Sequence, residues 1–494
     1  MEWFQAPDYW FTRAVIERGL ALIYLLAFVA AIHQFPALLG ERGLMPARRY
    51  IKATTLGQAP SLFRLGYSDR ALIGVSVVGA ALAVATIVGL PQSGPTWLSM
   101  ATWFVMWLLY LSIVNIGQTF YAFGWESLLL ETGFLAIFLG DDRIAPPWLV
   151  ILLFRWLAFR VEFGAGLIKL RGDRCWRELT CMDYHHETQP MPNPLSWYFH
   201  RLPRRLHRFE VLGNYLAQLV APVGLFLPQP IAGICGAIMI GTQAYLVVSG
   251  NYAWLNAITI VAAFAAIPDA AYRLVLPLGQ PSIAEPASWF VAAVVAFTIL
   301  VAVLSYWPVR NLIGSRQLMN YSFNQLHLVN TYGAFGSVTR DRYEVVVEGS
   351  RAEQPRAEDW REFEFIGKPG DPRRRPPQVA PYHLRLDWLM WFAALSPGYA
   401  HGWFLPFCQR LLEGDRSIRR LIRRDPFDGE PPVWIRARLF LYRYTTWRER
   451  RDTGAWWTRD LAGEFLRPIR VAPEAPVRAA NVESVGDRWD AWVA

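Results

Sequence analysis

RWLAFRVEFGAGLIKL, residues 155–170, is an apolar helical run carrying charges that a lipid-facing helix would avoid. It passes directly into RGDRCWRELTCMDYHHETQPMPNPLSWYFHRLP, residues 171–203, which is dense in Trp, Tyr, His, Cys and Asn and holds four prolines. At 100° per residue, Arg155, Glu162 and Lys169 are spaced by seven and fall on nearly one face, drifting about 20° per heptad. Gly166 shares that face and Gly164 lies beside it, so another backbone can approach closely there. An ionisable group at membrane depth costs at least about 2.5 kcal/mol, so such groups face a protein or water-filled interior. Helical rise separates Glu162 from Lys169 by about 10 Å, too far for a direct pair. Their partners must come from other helices or from a ligand.

Working outward, the chain of 494 residues is 53% apolar, and runs of about twenty apolar residues recur through residue 308. That overrides the soluble multidomain expectation set by length. The fold class read from this is a polytopic α-helical membrane domain of about nine spans followed by a small α+β soluble domain. The spans fall near 15–39, 71–91, 97–117, 123–140, 147–169, 210–228, 231–249, 253–268 and 288–308. The membrane domain covers 1–308 with a long ordered loop at 170–208; the C-terminal domain covers 309–470, and 471–494 reads as a disordered tail. Residues 1–14, with Trp3, Phe4, Tyr9, Trp10 and Phe11, read as an interfacial aromatic segment. The first apolar run is too long for a cleavable signal peptide. The fourth span holds Glu126 and Glu131, about 140° apart on a helix, so at most one of them shares a face with any single partner.

In the C-terminal part, VTRDRYEVVVEG and DWREFEF alternate as strands do, and WLMWFAAL and FCQRLLEGDRSIRRLIRR read as helices. VWIRARLFLYRYTTW alternates again, with Val433, Ile435, Ala437, Leu439 and Leu441 inward.

The net charge of +9 comes from arginines placed beside the spans and in the tail, which suits anionic lipid headgroups better than nucleic acid. Membrane lipid is therefore an expected partner and nucleic acid is not. Four cysteines are too few for a disulfide scaffold. Cys175 and Cys181 could bridge on an oxidising side or remain a reduced pair. With Asp183, His185 and His186 they could supply metal ligands, but the spacing matches no zinc pattern, so no metal is assigned. No cofactor motif is present either: a serine elbow, a phosphate loop and H-E-x-x-H are all missing. Lys169, beside glycines at the end of an apolar helix, is the best single candidate for chemistry as a base. The plainer reading is a lysine that snorkels to the interface.

FGAGLIKLRGDRCWRELTCMDYHHETQPMPNPLSWYFHRLP at 163–203, NQLHLVNTYGAFGSVTRDRYEVVVEG at 324–349 and PGDPRRRPPQVAPYHLRLDWLMWFAAL at 369–395 closely resemble the lipase maturation factor family. The resemblance runs in order along nearly the whole chain. It implies a polytopic protein of the endoplasmic reticulum membrane, or of the inner membrane in a bacterial host, that helps secreted lipases fold and is not itself a hydrolase. It marks Gly164, Gly166, Gly172, Asp173, Cys175, Trp176, Cys181, Asp183, Tyr184, His185, Glu187, Gln189, Pro190, Asn193, Pro194 and Trp197 as a signature loop expected to meet the client. Asn330, Tyr332, Gly333, Phe335, Asp387, Trp388 and Trp391 form the matching C-terminal motif. A shorter pattern, Phe163, Gly166, Lys169 and Leu170, is similar to one in vitamin K-dependent γ-carboxylases, where the matching lysine is the catalytic base. That implies an alternative enzyme with Lys169 as base, tuned by Glu162 or Glu126. A transporter is a third reading, for which the intramembrane charges are the only support.

Sidedness divides the arguments. The 41–70 loop carries Arg42, Arg48, Arg49, Lys52, Arg64 and Arg70, and 169–208 carries eight Lys or Arg, which the positive-inside rule places in the cytoplasm. The resemblance places the same surface and the C-terminal domain in the lumen or periplasm.

Overall fold

A computed structural model describes residues 3–470 except 278, 280 and 281; the tail expected at 471–494 lies outside the described residues. The N-terminal part is a bundle of α1 (Trp10–Leu39), α2 (Asp69–Ile87), α3 (Thr96–Val114), α4 (Gly124–Ala136), α5 (Trp148–Arg171), α6 (Arg204–Tyr215), α7 (Ile231–Ser249), α8 (Leu255–Ala263) and α9 (Ser288–Leu304), with shorter helices between them.

Among the described residues, five of these, α1, α2, α3, α7 and α9, are long and apolar enough to cross a membrane. The remaining four of the nine expected spans do not meet that standard. The 123–140 run folds as the 13 residues of α4, and 253–268 yields the 9 residues of α8. The 210–228 run is broken where α6 gives way to a wider turn at Leu216–Val220. α5 has the length, 24 residues, but buries Arg155, Arg160, Glu162 and Lys169. α4, α5 and α8 pack on one another, and α4 and α8 also against α1, so their burial is against protein rather than lipid. Apolar runs alone do not separate the two environments.

The two ends of the bundle are built differently. At one end, Arg13 donates to the Ile144 carbonyl at 2.8 Å and pairs with Asp142 at 3.1 Å, while Asp269 accepts from the Phe11 and Thr12 N–H groups. Phe4 and Tyr9 are buried there, Trp10 and Phe11 are half-buried, and Trp3 is exposed. At the other end, Gln34 donates to the His383 carbonyl at 2.7 Å and Asn115 to that of Gln325 at 3.0 Å. Asn251 there accepts from the Val379 and Ala380 N–H groups at 2.8 Å each. The C-terminal part is seated on this second end.

That part contains β1 (Arg342–Ser350), β2 (Arg361–Glu362), α10 (Arg385–Leu395), α11 (Phe404–Leu412), β3 (Trp434–Tyr444) and β4 (Trp457–Ile469). The sheet order is β2-β1-β3-β4, antiparallel throughout. The DWREFEF segment pairs only over two residues, because Phe363 and Phe365 turn down into the core. In β3, Ile435, Ala437 and Leu439 face the core as expected, but beyond them Phe440, Tyr442 and Tyr444 are buried instead of Leu441. They pack in a second cluster with Trp197 and Trp457, which covers the opposite face of the sheet. The pairing of β3 with β4 also shifts register between Leu439 and Phe440, the irregularity of a bulge. β4 is an edge strand that the sequence reading leaves unassigned.

Candidate functional site

The last turns of α5 carry two buried ionisable groups, Glu162 and Lys169. Glu162 is buried and accepts from Gln243 of α7 at 2.6 Å; Gln243 in turn accepts from Asn256 at 2.7 Å. Lys169, one heptad on, donates to Asn214 of α6 at 3.0 Å and to Gln218 at 2.8 Å, and its ammonium lies 4.9 Å from the centre of the Trp176 ring. Both charges therefore meet neutral amides from other helices. The third member of the face, Arg155, donates to the carbonyls of Ala265 and Leu225 and to the Tyr9 hydroxyl, at the other end of the bundle.

The glycines do what small residues on this face permit, with partners that the sequence does not name. A Cβ on Gly164 would lie 2.4 Å from the Tyr332 carbonyl oxygen, and one on Gly172 2.2 Å from that of Gly336. On Gly166 it would meet the Gln218 and Leu219 side chains. The backbone that approaches closely is thus the 330–336 motif, and Gly333 and Phe335 lie in that same stretch.

The signature loop is folded as a joint. Cys175 and Cys181 form a disulfide with their Cα atoms 4.9 Å apart, which removes them as metal ligands. Asp173 caps the short helix Arg174–Arg177 and pairs with Arg340. Trp176 donates to the Phe335 carbonyl, Asp183 bonds His207, and the Arg340 guanidinium lies over Tyr184. Glu187 accepts from the Tyr444 N–H at 2.6 Å, Arg342 donates to the Glu187, Gln189 and Pro190 carbonyls, and Trp197 donates to the Thr445 carbonyl at 2.9 Å. Asn193 accepts from two following N–H groups, and Pro194 accepts from Arg375. Gly164, Gly166, Cys175, Trp176, Cys181, His185, Glu187, Gln189, Pro190, Asn193 and Trp197 are all buried; Asp173, Asp183, Tyr184 and Pro194 are half-buried, and only Gly172 is exposed. As placed, these residues hold the sheet to the bundle and present little surface to a client.

His185 and His186 point apart. Burial, with His186 and Lys169 nearby, holds His185 well below the usual imidazole range, so it is neutral. Tyr252 donates to Gln189 Oε1 at 2.7 Å, so His185 Nε2 carries the proton and donates to the Tyr252 oxygen at 3.0 Å. His186 bonds Glu210 instead, and Tyr245 donates to that same carboxylate. Between α5, α6, α7, the loop and α10 lies a cavity of about 410 Å³ whose wall includes Glu162, Lys169, Trp176, His185, Tyr252, Trp388 and Trp391.

The two carboxylates of α4 have separate partners, as their 140° separation requires. Glu126 pairs with Arg385 of α10 at 2.7 Å and is bonded by Tyr110, so it is not available to tune Lys169. Glu131 pairs with Arg160 and accepts from Tyr332 at 2.7 Å and from both the main-chain and side-chain N–H of Asn330. Asp387 accepts from the Gly367 and Lys368 N–H groups.

Comparison with known proteins gives the architecture its relatives. The profile of the lipase maturation factor transmembrane domain matches residues 11–274, and that of the lipase maturation factor C-terminal domain matches 328–467. The chain is 42% identical to lipase maturation factor 1 of Bos taurus over 94% of its own length and 90% of the relative's. The chain belongs to the lipase maturation factor family. It is 39% identical to lipase maturation factor 1 of Homo sapiens, over 95% of this chain and 89% of that one. With the human lipase maturation factor 2 identity is 28%, over 92% and 82%. No solved structure matches the chain. It is an integral membrane protein, and the carboxylase-like alternative finds no support among these relatives.

The groups the sequence reading missed are Arg160, Arg385, Gln218, Gln243, Tyr252 and Asn256. Their signal was present for the amides: Gln243 and Asn256 are each a lone amide inside an apolar run, and Gln218 shares its run with Asn214, which buried hydrogen bonding explains and lipid contact does not.

Proposed function

We propose that this chain is a membrane-bound maturation factor that helps secreted lipases reach their folded, active form. The observation that carries this reading is identity of 42% with a lipase maturation factor across 94% of the chain. The client is met, in this reading, by the exposed aromatic surface beside the joint. Trp447 is 56% exposed and Tyr198 38%, with ring centres 6.1 Å apart, and Arg450 lies against Trp456 beneath them. Aromatic and arginine side chains around a packed centre are the composition of binding hot spots.

We further infer nine helical passes, with both basic loops and the C-terminal domain on the lumenal or periplasmic side. Alternation supports this: the C-terminal ends of α1, α3, α5 and α7 and the start of α4 all lie at the end that holds the C-terminal domain. The Cys175–Cys181 bridge fits an oxidising compartment. Several basic loop residues also have a folding role independent of sidedness, since Arg64, Arg171 and Arg201 donate to main-chain carbonyls within the fold.

The test is co-expression of a secreted lipase with this chain in cells lacking their own factor. Restored lipase activity supports the reading, and equal lipase protein without activity defeats it. A reporter active only outside the cytoplasm, fused after Ala494, tests the sidedness separately.

A further inference from the structure

The 410 Å³ cavity lies within the range of small-molecule sites, about 300–1,000 Å³. Its polar groups are unevenly matched. Lys169 is 5% exposed, and its ammonium meets two amide oxygens and a Trp ring, with no carboxylate in ion-pair contact among the described residues. Of the carboxylates in the same wall, Glu162 accepts from Gln243 and Glu210 from Tyr245 beside His186, each through Oε1, and neither is in ion-pair contact with Lys169. Amide oxygens solvate an ammonium but do not neutralise it, and a buried charge is costly until it is paired. The wall contributed by α10 is apolar: Trp388, Trp391, Phe392 and Leu395. Another wall is α7, whose outer face exposes Ile234 and Val248, so apolar surroundings adjoin the site.

We propose that this cavity binds one single-chain fatty acid, its carboxylate paired with Lys169 and its chain along the aromatic wall of α10. The lysine lacks an anion in contact, and the α10 side of the cavity offers apolar surface to a hydrocarbon chain. A peptide segment would instead bring a main-chain donor and acceptor with every residue, which the α10 wall does not match. The site is independent of the exposed surface assigned to the client.

The test uses the full chain purified in neutral detergent and titrated with cis-parinaric acid, a fluorescent fatty acid, and with its methyl ester. Saturable binding of the acid is expected, with the ester weaker by about tenfold or more. Lys169→Gln should weaken the acid by a similar factor, and Lys169→Arg, which keeps the charge, should retain most of the affinity. Equal binding of acid and ester, or unchanged binding by folded Lys169→Gln, overturns the proposal. Should Lys169→Gln fail to fold, Thr259→Trp, which fills the cavity from α8, must abolish binding, and unchanged affinity there overturns it equally. Palmitate should displace the probe. Displacement as effective by phosphatidylglycerol vesicles or by an unfolded lipase segment assigns the cavity to another ligand and overturns it too.

Discussion

Arg160 and Lys169 belong to the same helix, are both buried, and are treated in opposite ways. Arg160 is closed off: Glu131 neutralises it, the Asn330 carbonyl accepts from it at 2.6 Å, and Tyr332 and Asn330 complete the shell of Glu131. Lys169 is left open, with amides for company and a cavity beside it. A charge whose partners all come from the protein is architecture, here joining α4, α5 and the 330–336 motif. A charge whose neutralising partner is absent is the place to look for a ligand. Charge at membrane depth does not by itself distinguish the two, since both cost the same desolvation.

The comparison is broken most directly at Glu131. Glu131→Gln leaves Arg160 buried without an anion, and losing one partner of a buried pair costs about 3–5 kcal/mol. A large fall in the thermal midpoint of the detergent-purified protein is expected. Replacing both residues together, Glu131→Leu with Arg160→Met, should recover part of the loss. A single variant as stable as the parent would show that the node is not architectural.

A buried carboxylate with no ion-pair contact among the described residues gives the next largest effect. Asp387 has only N–H partners at its Oδ1, and burial lifts its carboxyl from 3.8 to about 6, offset in part by the Gly367 and Lys368 N–H groups. The folded protein therefore holds this proton where the unfolded chain has already released it. The stabilisation is fully present below about pH 4, is lost as pH rises through 6, and does not return above it. At 1.36 kcal/mol per pH unit the loss is on the order of 3 kcal/mol. Asp387→Asn keeps an oxygen for the two N–H groups and removes the titration. Thermal midpoints measured from pH 4 to 7 should fall less steeply in the variant than in the parent, and parallel slopes would exclude Asp387 as the source.

Much of this architecture is legible in the sequence, and what is not has a common cause. The seven-residue spacing of Arg155, Glu162 and Lys169 put them on an inward face, and their partners do come from other elements. The glycines at 164 and 166 marked a close approach, which a backbone makes at Gly164 and the Gln218 and Leu219 side chains make at Gly166. That the approaching backbone would be Tyr332 and Gly336, some 160 residues later, is a tertiary fact that no periodicity encodes. Apolar runs marked the bundle, but α4 and α8 are surrounded by protein, so the bilayer does not set their length. The loop residues looked like a contact surface because they are aromatic and polar, and that composition equally suits a joint, which is what Trp197 and Asn193 form. β4 went unread because an edge strand can leave Thr458, Arg459 and Asp460 on its surface, which masks the alternation.

Lys169 sharpens the contrast from the other side. Lys169→Met removes a buried charge that has no anionic partner, so stability should change by about 1 kcal/mol or less, in either direction, against several for Glu131→Gln. Lipase maturation in the co-expression assay separates the roles further. Lys169→Arg cannot act as a base because guanidinium stays protonated. Normal maturation with Lys169→Arg would exclude a base mechanism, and normal maturation with Lys169→Ala would detach the cavity from the client role altogether.

The smallest effect belongs to charges that neither close a node nor open a site. Arg174 and Glu178 form a pair at 2.5 Å, but their side chains are 80% and 49% exposed. In water such an i,i+4 pair contributes about 0.3–0.5 kcal/mol, and salt screens it. Arg174→Gln should therefore leave the thermal midpoint nearly unmoved and insensitive to added salt, although the residue lies in the same loop as the buried Trp176 and next to the Cys175 bridge. The contrast depends on burial rather than on proximity to the joint. A loss from Arg174→Gln comparable to that from Glu131→Gln would mean that this stretch is covered in the working protein, by lipid or by a client. The division between architectural and open charges would then have to be redrawn around that cover.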